Sequence, residues 1–97
     1  MQRVGIEESR QNLGYFLHRA SRGERYLVTR HGQIEALIRP VRTGDCYPRI
    51  GAAALREHAF RLIGEARRKP RVVTVYDRRT AVLIGPGPDD LPMELAG

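Results

Sequence analysis

At 97 residues the chain has room for one small domain or two very small units, and at that size a single core is marginal without internal pairing or oligomerisation. Its net charge is +6, from 17 basic residues (all arginine except Lys69) against 11 acidic ones. No apolar run approaches the roughly 20 residues of a membrane-spanning helix, the first residues lack the apolar stretch of a secretory signal, and the lone Cys46 cannot close an internal disulfide. The expectation is a cytoplasmic protein with no membrane partner.

In chain order, "RVGI" (3–6) is a short apolar stretch that predicts a strand. "EESRQNLGYFLHRASRG" follows, with Leu13, Phe16, Leu17 and Ala20 at the i, i+3, i+4, i+7 spacing of one helical face. Glu7 and Glu8 fall in its first turn, where the helix dipole favours negative charge. Gly23 follows the last periodic residue and suits a left-handed cap. "RYLVT" (25–29) is β-branched and aromatic, "RHGQ" is a turn around Gly32, and "IEALIRP" is a second strand ended by Pro40. The order is strand, helix, strand, strand, the last two forming a hairpin.

"VRTGDCYPR" (41–49) is punctuated by Gly44 and Pro48 and reads as a linker. Then the pattern starts again. Sliding the chain by 46 residues sets Val4–Pro40 against Ile50–Pro86 with 8 identities, including Gly5/Gly51, Arg10/Arg56, Ala20/Ala66, Leu37/Leu83 and Pro40/Pro86. The helical face repeats as Ala59, Leu62, Ile63 and Ala66, and "RVVTVYD" and "TAVLIGP" echo the hairpin. A repeat of this kind sets the architecture. The predicted fold class is α/β (α+β), with two tandem strand–helix–strand–strand units at 1–42 and 50–86. A linker at 43–49 joins them, and residues 87–97 form an acidic Pro/Gly tail. Whether the chain is its own pseudo-two-fold dimer or a homodimer is open at this stage.

Asp89, Asp90 and Glu94 lie in the tail, so residues 1–86 carry 17 bases against 8 acids, a net +9. Such a body suits a polyanion. Arg10, Gln11 and Asn12 precede Leu13, the start of the buried face, and so face outward. They are side-chain types suited to bidentate base or phosphate contacts in a DNA groove. The plain alternative is a polar first turn with Arg10 paired to a nearby Glu. Arg56 is the direct repeat of Arg10, whereas Gln11 and Asn12 become Glu57 and His58. Arg30 and His31 sit at the tip of the first hairpin. At the same offset Tyr76 replaces Arg30, with Arg78 and Arg79 two and three positions on. The turns after each helix carry Arg22, Arg25, Arg68, Lys69 and Arg71, which suit either phosphate contacts or solvation. In the tail, "LPMEL" places Leu91, Met93 and Leu95 as an apolar stripe for a partner.

The stretch "VGIEESRQNLGYFLHRASRGERYLVTRHGQIEALIRP" resembles the N-terminal domain of the prevent-host-death (Phd)/YefM antitoxins. "SRQNL" opening the helix, a Gly near its end, "LVTRHG" and a strand ending "ALIRP" carry the likeness over residues 1–42. The second half resembles the same domain only through the repeat. The resemblance implies a small α/β fold that dimerises through its sheet and binds operator DNA, with Arg30 at a DNA-contacting position. It also implies repression of transcription and neutralisation of a cognate toxin by a segment after the domain. Two departures stand out. Glu7 occupies a place where the family commonly has a capping Ser or Thr. A second domain-like copy also stands where a toxin-wrapping helix is usual.

An enzyme is not expected. His18, His31 and His58 lack metal-ligand spacing with one another or with Cys46, no Gly-rich phosphate loop is present, and Glu7 and Glu8 diverge around a helix. No metal or cofactor is expected. The reading is therefore an antitoxin-like repressor that binds double-stranded operator DNA and a toxin. Its alternative is an interaction module that keeps the fold but grips a protein through the second unit and tail. A third arrangement would make residues 50–69 a lone partner-wrapping helix.

Overall fold

The computed structural model describes residues 1–91. The chain folds into two successive runs of the same elements. The first comprises β1 (Gln2–Gly5), α1 (Ile6–Gln11), α2 (Leu13–Ser21), β2 (Tyr26–Arg30) and β3 (Gln33–Arg39). The second comprises β4 (Arg49–Gly51), α3 (Ala52–Glu57), α4 (Ala59–Gly64), β5 (Arg71–Val75) and β6 (Arg78–Ile84). A short 3-10 turn, Pro88–Asp90, follows.

One six-stranded sheet joins them in the order β1-β2-β3-β6-β5-β4. In each run the first strand pairs parallel with the second, and the second pairs antiparallel with the third. The two runs meet at an antiparallel β3–β6 ladder, with Leu37 opposite Ile84, Ile38 opposite Leu83 and Arg39 opposite Val82. Exchanging each β3 residue for the β6 residue 45 positions on returns the same ladder. A local two-fold relation therefore passes through the Ile38–Leu83 pair. Residues 50–69 belong to this shared sheet and its helices, so they are not a lone helix.

The helix expected from Glu7 to Gly23 differs in two details. It starts at Ile6, so the capping position is Gly5 and not Glu7. It breaks at Asn12 (φ −117°, ψ 33°), and the second copy breaks identically at His58 (φ −115°, ψ 33°). Gly23 does take a left-handed conformation, φ +110°, and its N–H closes the helix on the Ala20 carbonyl.

The simple 46-residue offset also needs correction. It holds for α1 against α3, but the hairpins correspond at 45. Both hairpins bulge before a threonine, at Val28/Thr29 and Val73/Thr74, and the hydroxyls of Thr29 and Thr74 each donate to a carbonyl of the edge strand, Val4 and Ile50, at 3.4 Å. One residue is thus lost between the second helix and second strand of the later copy. Tyr76 is the counterpart of His31, and Val75 that of Arg30. Both Tyr76 and His31 sit at φ +51°.

All four helices bury against one face of the sheet. Ile6, Leu13, Leu17 and Ala20 from the first run and Leu55, Ala59, Leu62, Ile63 and Ala66 from the second share one core with Val28, Ala36, Ile38, Val73, Ala81 and Leu83. Strand alternation sends Leu27, Leu37, Val72 and Val82 to the opposite face, where they are also buried. There the linker and the post-β6 segment provide cover. Arg39, only 6% exposed, forms a two-pronged pair with Asp45 of the linker at 2.9 and 3.0 Å. Arg25 pairs with Asp90 at the other end, where Gly85, Pro88 and Asp90 run beside Leu37.

Candidate nucleic-acid interface

The residues of "SRQNL" divide between core and surface. Ser9 is buried, 1% exposed, and its hydroxyl donates to the Ile6 carbonyl at 2.8 Å. Leu13 is buried as expected. Gln11 and Asn12 are exposed, and the Asn12 amide donates to the Glu8 carbonyl at 3.3 Å across the helix break. Arg10 is half-buried and pairs with Glu7 at 3.0 Å, the plain alternative raised by the sequence. Arg56 is placed differently. The counterparts of Glu7 and Glu8 are Ala53 and Ala54, so Arg56 is exposed and makes no ion pair among the described residues. The later copy, whose "LREHA" keeps only the arginine, thus presents the freer guanidinium. Its neighbours Glu57 and His58 approach each other at 3.9 Å.

Arg30 does not project from the hairpin tip. Its guanidinium lies over the Phe60 ring, 5.5 Å from the centroid, and donates to the Phe60 carbonyl at 2.6 Å. Its Nε is buried without a hydrogen bond, with Glu35 Oε1 at 3.9 Å. Arg30 therefore ties the first hairpin to α4 of the second run. His31 is exposed at the tip. Arg79 donates to the Asp45 carbonyl at 3.3 Å and stays largely exposed. The structure brings Arg10 and Arg56 into the helical layer, where α1 contacts α3, but places Arg30 and Arg79 in hairpins on separate contacts.

Of the basic turns, Arg25 is held by Asp90 and Arg71 by Glu65 at 3.3 Å. Arg22, Arg68 and Lys69 are exposed. Beside Arg22, Arg19 and Glu24 pair through Nε and Oε2 at 2.7 Å, and the Tyr26 hydroxyl also donates to Glu24. These two donors hold the Glu24 carboxyl down at about 2, and burial with that hydrogen bond pushes the Tyr26 phenol up to about 12. Leu91 is half-buried near Leu27; Met93 and Leu95 lie outside the described residues.

No protein-family model, curated protein or solved structure matches the chain. The site must be read from its own chemistry. Among the described residues no three His, Cys, Asp or Glu side chains gather as a metal ion would require, and no helix is long and apolar enough to cross a membrane.

Sequence reasoning missed Phe60, Asp45 and Tyr76. Phe60 had a signal, since it is an aromatic residue standing off the Ala59–Leu62–Ile63–Ala66 stripe. Tyr76 had one too, since it occupies a tight turn that ordinarily takes Asn or Gly. Asp45 had none, because its partner Arg39 is made internal only by the linker folding back.

Proposed function

We propose that the chain is a DNA-binding regulator of the antitoxin type, a tandem Phd/YefM-like pair within one polypeptide. It binds operator DNA, represses transcription and engages a cognate toxin. One observation carries this reading: Arg10 and Arg56 occupy equivalent positions at the ends of α1 and α3, in one helical layer of a body with net charge +9 over residues 1–86. Two-fold related basic groups suit the half-sites of a pseudo-palindrome. Here the half-sites are read unequally, because Gln11 and Asn12 face one and Glu57 and His58 the other.

The test is binding to the duplex upstream of the gene, followed by fluorescence anisotropy across a salt series. Arg56→Ala is expected to weaken binding more than Arg10→Ala, since Arg10 already has Glu7. Each lost phosphate contact lowers the salt slope by about 1. Absence of binding at low salt sinks the proposal.

The engagement of Arg30 with Phe60 favours a second reading, a protein-interaction module without sequence-specific DNA binding. A co-purifying protein retained by Arg56→Ala and lost on deletion of residues 87–97 would support it over the first.

A further inference from the structure

The two halves differ where each hairpin meets the second helix of the other run. At the first junction Arg30 and Phe60 plug the space. Their counterparts at the second junction are Val75 on the β5–β6 hairpin and Gly14 on α2, which cannot rebuild the plug. A groove of about 650 Å³ lies there, lined by Gly14, His18, Ser21, Tyr76, Arg78 and Thr80 among others. That volume falls within the roughly 300–1,000 Å³ of small-ligand sites.

Tyr76 is 96% exposed at the rim of this groove. Its backbone is left-handed, φ +51°, and Asp77 follows at +63°. Two-residue hairpin turns with successive left-handed residues favour Asn-Gly or Asp-Gly, and the first hairpin accordingly has His31-Gly32. A tyrosine there strains the turn and buries nothing in return. A local rule broken without gain to folding marks a functional position. Arg78, next along, makes no ion pair among the described residues, whereas Arg79 is tethered to the linker. An exposed aromatic face beside a free guanidinium is the pairing that holds a base and its phosphate.

We infer that this groove binds a nucleotide unit of single-stranded nucleic acid, the base stacked on Tyr76 and the phosphate paired with Arg78. A free nucleotide carries the same chemistry. Duplex DNA, with its base faces already stacked, does not use Tyr76, so the site stands independently of operator binding.

The experiment titrates the full-length protein into fluorescein-labelled oligothymidylate, with a labelled duplex in parallel. The expected result is oligothymidylate binding that Tyr76→Ala weakens about tenfold, with duplex binding unchanged. Arg78→Ala weakens it and lowers its salt dependence. Gly14→Phe combined with Val75→Arg copies the Phe60–Arg30 plug into the groove and abolishes it. Tyr76→Asn relieves the turn, so the melting temperature rises while binding falls, which separates lost contact from lost folding. Displacement by thymidine monophosphate at similar affinity assigns the groove to free nucleotides; displacement only by oligonucleotides assigns it to strands; either supports the site. The inference is overturned if oligothymidylate does not bind, if its binding survives both Tyr76→Ala and the plugging pair, or if Tyr76→Ala reduces duplex and single-strand binding equally.

Discussion

At the scale of single residues, the Arg39–Asp45 pair shows how a polar group is kept inside. Arg39 alternates into the sheet face away from the helices, opposite Val82, where an unpaired guanidinium would be costly. Asp45 meets it with both oxygens, and the Arg42 N–H donates to the same carboxylate at 2.6 Å. The Arg39 hydrogen bonds hold the Asp45 carboxyl below its ordinary value despite partial burial. A carboxyl lowered by folding stabilises the fold above its unfolded value of about 3.9, and that contribution fades as pH falls through the lowered folded value. Thermal melts between pH 6 and 2 should therefore show Asp45→Asn to be less stable at pH 6, with a flatter acid limb than the parent. Asp45→Ala, which strands Arg39, should cost about 3 kcal/mol near neutrality. Gly85 makes a second prediction at this scale. A Cβ there would stand 2.9 Å from Arg67 Cα, a backbone atom that cannot swing aside. Gly85→Ala should cost about 1–3 kcal/mol in chemical denaturation; an unchanged midpoint would show that the approach can relax.

At the scale of elements, the Arg30–Phe60 contact couples a hairpin of one run to a helix of the other. A double-mutant cycle of Arg30→Ala and Phe60→Ala should return a coupling of about 0.5–1 kcal/mol, modest because both groups are partly exposed. A coupling of zero would leave the contact as mere proximity. The elements also show what the sequence could and could not disclose. Strand, helix and hairpin were legible twice over, because periodicities of 3.6 and 2 are written directly in side-chain type. The break at Asn12 was hidden, since Leu13, Phe16, Leu17 and Ala20 keep helical spacing and the interruption falls just before them. The one-residue deletion was masked by matching "LIRP" with "LIGP". That alignment sets Leu37, which faces the linker side, against Leu83, which faces the helices. A one-residue slip flips every side chain to the other face, so alternation should have outweighed identity. Ala36 with Ala81 and Ile38 with Leu83 respect it. Of the candidate interface, the outward setting of Gln11 and Asn12 was legible from Leu13. The occupation of Arg30 was not, because Phe60 lies 30 residues away and only the sheet brings them together.

At the scale of the molecule, the β3–β6 ladder decides how the chain can come apart. Each run supplies three strands, but the helices do not keep to their own strands: α2 packs on β6 and α4 on β3. Separating the halves would bare the inner edges of β3 and β6 and open the main core that spans Leu17 to Leu83. The first half then keeps only the small cluster of Val4, Phe16 and Tyr26, and domains this small seldom fold with so little burial. Full-length protein should consequently unfold in one transition, with circular dichroism and tyrosine fluorescence reporting the same midpoint. A fragment of residues 1–42 should behave in one of two ways set by the same edge. It should be unfolded when dilute, and at higher concentration it should gain strand and helix signal as it self-associates through β3, replacing Leu83 with a second Ile38 at the axis. Sedimentation of that fragment across a concentration series checks the point. A folded monomeric 1–42 would mean that the two runs are separable domains, and that the interlocked helices and shared sheet contribute little to holding either one.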